Sequence, residues 1–278
     1  MIRAWSRVYA KSFFPFMRRE ENPRRFRPLK TVIPAPDNAL VTAYAEWCGA
    51  SGRYLRDIPP HMFCQWGLPL VLSVIEQSRY DVTSIINQGL CMRVHGELPR
   101  DQELVVSAEL ESMEEIQGRA NLKVKVVTGT RSQPRLVEAL LHSTFILSAH
   151  PGRAGMNRSV KPALDARWES AGSWRAEPDD GFQFALLTGD FNPIHWVESA
   201  GKKSPFGSTV LQGFGAFARS YERLRAVRPL RDIEVQFQRP VLLPSSELNV
   251  EFARTEGDWS VLRLFDGNRR VRLSGRFR

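Results

Sequence analysis

One plan is written twice along this chain of 278 residues, and that repetition constrains the fold more than any single motif. In the first copy, residues 68–80 (LPLVLSVIEQSRY) form a compact apolar run with helical spacing, and Pro69 falls where a first helical turn tolerates it. Four strand-like runs follow, at 90–95, 104–110, 121–128 and 137–147; in NLKVKVV, Leu122, Val124 and Val126 share one face. The second copy keeps the order, with a helix-like run at 210–224 (VLQGFGAFARSYERL) and strand-like runs at 232–238, 247–253, 260–265 and 270–277. One helix followed by antiparallel strands, twice over, predicts an α+β chain of two units, each wrapping a sheet around a helix.

The rest of the chain divides around these copies. Residues 1–37 read as a basic N-terminal arm, 38–150 as the first unit, 151–180 as a linker rich in Pro, Gly, Ser, Arg and Ala, and 181–278 as the second unit. The arm carries nine basic and three acidic side chains and so supplies most of the net charge of +9. It reads as an extension packing through Trp5, Tyr9, Phe13, Phe14 and Phe16, as a surface for an anionic ligand, or as an organelle transit peptide. Nucleic-acid binding is not expected, because no basic stripe continues into the body. No apolar run reaches ~18 residues, which argues against a membrane-spanning helix. Cys48, Cys64 and Cys91 are odd in number and lack CxxC spacing. That argues against a disulfide framework and a cysteine-rich zinc site and fits a reducing compartment, so a cytoplasmic protein is expected, with an organelle as the lesser alternative.

The most specific string is LTGDFNPIH, residues 187–195. The residue before a proline is pushed out of the α region, so Asn192-Pro193 should end the helix containing Phe182 to Leu187 and fold His195 back toward Asp190. Such a carboxylate–imidazole pair can hold a water between two proton acceptors, and histidine titrates near neutrality. On spacing alone, a structural turn with a capping aspartate and a half-buried histidine is the stronger reading. Eighteen residues beyond His195, Gly213 stands near the start of the second helix, where free N–H groups can bind a developing oxyanion.

Together these residues resemble the MaoC-like dehydratases, the (R)-specific enoyl-CoA hydratases of the hot-dog fold. That family carries a Gly-Asp-x-Asn-Pro-[Leu/Ile]-His motif followed, after about eighteen residues, by His-Gly at its central helix; here GDFNPIH spans 189–195 and Gln212-Gly213 follows. The resemblance implies a double hot-dog: two antiparallel sheets, each wrapped around a central helix, fused as a pseudo-dimer of the hydratase 2 type. Laying Gly49 on Gly189 puts Ala50 opposite Asp190 and Leu55 opposite His195, so the first unit lacks the pair. It would instead shape an acyl pocket around Phe63, Trp66, Leu68 and Leu72, although these residues read first as core.

The implied activity is reversible hydration of a trans-2-enoyl-CoA to an (R)-3-hydroxyacyl-CoA. Asp190 and His195 would share the proton transfers, Asn192 would hold the turn, and the Gly213 N–H would bond the thioester oxygen. Gln212 and Phe214 would adjoin the substrate, and Lys202, Lys203, Arg219 and Arg239 are candidates for the phosphates of coenzyme A. No metal or separate cofactor is expected, since coenzyme A or a carrier's phosphopantetheine arrives as part of the substrate. Two alternatives stay open: a dehydratase on carrier-protein thioesters in lipid or polyketide synthesis, and a non-catalytic acyl-CoA-binding subunit. A homodimer is a further expectation. The chain departs from the family pattern at Gln212, where histidine is common, at Trp196-Val197-Glu198, where x-Asp-Pro is usual, and at Pro205, an added proline.

Overall fold

A computed structural model describes residues 26–148, 167–255 and 257–278. The arm's aromatic residues, Trp5 to Phe16, and most of the linker lie outside them. The first unit runs β1 (Leu29–Ile33), α1 (Asn38–Trp47), β2 (Asp57–Ile58), α2 (Cys64–Ile75), β3 (Ile86–Val94), β4 (Leu98–Pro99), β5 (Leu104–Ile116), β6 (Arg119–Gly129) and β7 (Val137–Ile146). The second runs β8 (Trp168–Trp174), α3 (Asp180–Thr188), α4 (Glu198–Lys203), α5 (Gly213–Val227), β9 (Asp232–Phe237), β10 (Leu248–Arg254), β11 (Ser260–Asp266) and β12 (Val271–Phe277).

The repeat is a topological identity. One ten-stranded antiparallel sheet has the order β1-β5-β6-β7-β3-β9-β12-β11-β10-β8, so each half reads the same from its outer edge to the centre. The two expected sheets are thus joined edge to edge by β3 and β9, with Leu90 opposite Val235 and Met92 opposite Ile233. Each half curls around its long helix, α2 or α5, in the double hot-dog arrangement. Leu122, Val124 and Val126 are fully buried, as their alternation predicts.

Four expectations need correction. Strand β1 pairs with β5 from inside the segment read as arm, and β8 pairs with β10 from inside the segment read as linker. Both are sheet edges, with two of five residues exposed and none buried in β1 and only two of seven buried in β8, so neither shows a sustained apolar pattern. Helix α2 begins four residues before Leu68 and ends at Ile75, which puts Pro69 inside it rather than in its first turn. Proline there removes a helical N–H bond, but Trp66, Gly67, Val71, Val74 and Ile75 are buried and hold the segment helical. Helix α5 starts at Gly213 rather than 210, because Val210 is occupied in a bridge to Leu242.

One hydrophobic core runs through both units. Phe63 of the first packs edge-on against Phe214 of the second, with ring centroids 6.1 Å apart, near the starts of both long helices. Burying side chains of this kind is worth about 1.5–3 kcal/mol each. A polar clamp adds to it. Arg219 on α5 grips Asp180 on α3 with two bonds of 2.6 and 2.7 Å, donates to the Trp47 carbonyl at the end of α1, and lies 3.9 Å from the centre of the Trp47 ring.

Candidate active site

Helix α3 ends at Gly189, whose φ of 82° lies in the left-handed region and lets its N–H close on the Ala185 carbonyl at 2.7 Å. The chain then turns through Asp190. Its Oδ1 accepts from the Asn192 N–H, and Asn192 Oδ1 accepts from the Ile194 N–H, both at 3.3 Å. Pro193 opens a single 3₁₀ turn over Pro193–His195. The turn is therefore both a capped structural turn and a device that faces His195 toward Asp190.

His195 Nε2 lies 4.0 Å from Asp190 Oδ2, and each side chain is only 12–14% exposed. His195 Nδ1 lies 2.7 Å from the Val210 carbonyl oxygen. A carbonyl can only accept, so Nδ1 carries a proton, and in the neutral ring Nε2 is the acceptor that faces the carboxylate. The turn is seated by Gly181, since a Cβ there would lie 1.9 Å from the His195 carbonyl oxygen.

Gly213 is the first residue of α5, so its N–H has no partner in the helical ladder. A Cβ on Gly213 would meet the Phe237 ring at 2.9 Å. Gln212 stands buried at the position before α5, and its Nε2 donates to the carbonyls of Gly181 (3.0 Å) and Asp190 (3.3 Å). Helix α2 of the first unit packs against α3. At the start of α2, burial pushes the Cys64 thiol up to about 12, and the charge of Asp190 adds to that shift.

The structure brings Asp190, Asn192, His195, Gln212 and Gly213 together. Phe214 is 6% exposed and packs in the core between Phe63 and Phe237. Arg219 is consumed by the Asp180 clamp, which overturns its expected place among the phosphate ligands. Lys202 pairs with Glu198 at 2.6 Å. Lys203, on the helix packed against the 3₁₀ turn, and Arg239, beside a cavity of about 250 Å³ lined also by Trp168 and Arg263, are exposed and have no acidic partner among the described residues. In the first unit, Gly49 repeats the left-handed geometry with φ of 81°, but Ala50 is buried and Leu55 is 79% exposed, so no acid–base pair forms there. Sequence reasoning missed Gly181 and the Val210 carbonyl, because neither carries a reactive side chain. Among the described residues, no three His, Cys, Asp or Glu side chains converge as a metal site requires, and no helix is long and apolar enough to cross a membrane.

Fold and site define a double hot-dog protein with one Asp–His turn in its second unit. Residues 157–265 match the family model described as a MaoC like domain. That match falls on the second unit, which is thus similar to MaoC-like dehydratase domains. No curated protein sequence matches the chain. Among solved structures, HtdX of Mycobacterium tuberculosis is 20% identical with a TM-score of 0.72, over 90% of this chain and 98% of that one. The peroxisomal multifunctional enzyme type 2 of Drosophila melanogaster is 18% identical with a TM-score of 0.69, over 90% of this chain and 47% of that one. A conserved hypothetical protein of M. tuberculosis described as having a double hotdog fold is 15% identical with a TM-score of 0.55, over 91% of this chain and 95% of that one.

Proposed function

We propose that the second unit reversibly hydrates trans-2-enoyl-CoA to (R)-3-hydroxyacyl-CoA. The observation that carries this reading is the 4.0 Å gap between His195 Nε2 and Asp190 Oδ2, two acceptors facing each other. A water at about 2.8 Å from both would subtend about 90° at its oxygen, close to its own H–O–H angle, and so donate one hydrogen to each. The water oxygen then adds to the β-carbon while one member of the pair takes its proton. The π electrons move onto the thioester oxygen, and the pair delivers a proton to the α-carbon. The Gly213 N–H donates to that oxygen as it gains charge; one such donor is worth about 3 kcal/mol in the transition state. The core between α2 and α5 is apolar, which suits an acyl tail, and Lys203 and Arg239 are the remaining cations for the phosphates of coenzyme A.

The test is incubation of the protein with enoyl-CoA of short, medium and long acyl chains and, separately, with the same acyl groups on a carrier protein. Chiral analysis of the 3-hydroxyacyl product follows. An (R) product formed faster from coenzyme A esters supports the proposal. Turnover confined to carrier thioesters favours the carrier-protein reading, and binding without turnover favours a non-catalytic subunit.

A further inference from the structure

We infer that Gln212 is a positioning residue that sets the distance between the Asp190 turn and the first N–H of α5, a role that rests on the functional reading above. Gln212 is 1% exposed, and its two Nε2 hydrogens go to carbonyls at opposite ends of α3, those of Gly181 and Asp190. Reversing the amide would set Oε1 against two carbonyl oxygens, so its orientation is forced. Oε1 is then buried with no hydrogen-bond partner. An apolar side chain of the same shape would leave no such oxygen dry. What the glutamine adds is the tether.

The tether falls at an informative place. The hydrogen bonds of Asp190 Oδ1 and Asn192 Oδ1 stay within the turn and do not relate it to α5. Val210 holds the far end of the turn, accepting from His195 Nδ1 and donating its own N–H to the Ile194 carbonyl at 3.3 Å. Gln212 holds the near end through the Asp190 carbonyl. Four consecutive residues, 210–213, thus register the base, the carboxylate and the oxyanion donor against one another.

The experiment compares wild type with Gln212→Met, which keeps the length and removes the donor, and Gln212→His, which retains a ring N–H. Steady-state hydration of enoyl-CoA and amide hydrogen exchange at Asn192 and Ile194 are both measured. The expected result for Gln212→Met is a kcat lower by about tenfold or more with KM within about threefold, as for a group acting on the transition state. Exchange at Asn192 and Ile194 rises while amides of β6 and β11 keep wild-type protection, and Gln212→His regains part of kcat. Near-wild-type kcat and exchange in Gln212→Met overturn the proposal. So does faster exchange throughout the sheet with no recovery in Gln212→His, which marks a general packing role. Because exchange needs no substrate, a wild type that turns over no thioester defeats the functional reading and leaves positioning to be judged on exchange alone.

Discussion

Glu222 on α5 and His61, just before α2, meet at 2.9 Å with neither side chain exposed, so a buried carboxylate–imidazole contact stitches the two units together. The Tyr54 hydroxyl and Arg53 Nη1 also donate to this carboxylate, and the Tyr44 hydroxyl sits 3.0 Å from the other ring nitrogen of His61. The cluster grows from the loop that corresponds, in the first unit, to the Asp190–His195 turn of the second. Where that unit lacks an acid–base pair, it holds a carboxylate supplied by its neighbour.

Burial pushes the Glu222 carboxyl up, but the hydrogen bond and charge of His61, joined by Tyr54, outweigh it and hold the group below its usual range. A carboxyl depressed in the folded state contributes stability above its unfolded pKa and loses it as pH falls through the folded value. Glu222→Ala should cost about 3–5 kcal/mol at pH 7 in denaturant unfolding, the usual cost of breaking a buried pair. The stability difference between wild type and Glu222→Gln should shrink as pH drops below about 4.5. A difference independent of pH would show that the ionised form is not what matters.

Arg219 predicts a separation between stability and phosphate recognition. Arg219→Met leaves Asp180 buried without its partner and should lower unfolding free energy by about 3 kcal/mol or more. The ratio of KM for an acyl-CoA to KM for the matching acyl-pantetheine should stay at its wild-type value. Lys203→Ala or Arg239→Ala should alter that ratio with little effect on melting temperature. An altered ratio in Arg219→Met would return that residue to the phosphate site.

Gly181→Ala tests the seat of the turn. The added Cβ would collide with the His195 carbonyl at 1.9 Å and cannot be relieved by a rotamer, because the contact is with backbone. Displacement of about 1 Å at a catalytic group typically costs on the order of 10²-fold. We expect kcat to fall by about that factor, with far-ultraviolet circular dichroism unchanged. A variant with wild-type kcat would mean that the position of His195 does not depend on this contact.

Much of this architecture was legible before any coordinates. Leu122, Val124 and Val126 announced a half-buried strand, and Asn192-Pro193 announced the end of a helix and a return turn, because both signals are local. Strands β1 and β8 were hidden. LKTVI and WESAGSW are short edges whose identity as strands comes from the partners they pair with, β5 and β10. Pro69 misled for the opposite reason, since tertiary burial of α2 overrides the local signal. At the site, Asp190, His195 and Gly213 were singled out by the resemblance of their motif, since spacing alone favoured a structural turn, whereas Arg219 looked like a free surface cation. Its partners Asp180 and Trp47 lie 39 and 172 residues away, and no local pattern records such contacts.

The central claim is that Asp190 and His195 act on one water. The most direct measurement is crotonyl-CoA hydration, followed as loss of enoyl-thioester absorbance, in wild type, Asp190→Asn, His195→Gln and the double variant. Each single substitution should lower kcat by at least about 10²-fold with the fold intact, and the double variant should be little worse than either, because groups that act as a unit are strongly non-additive. Wild-type turnover that survives both single substitutions would contradict the account and place the chemistry elsewhere in the protein.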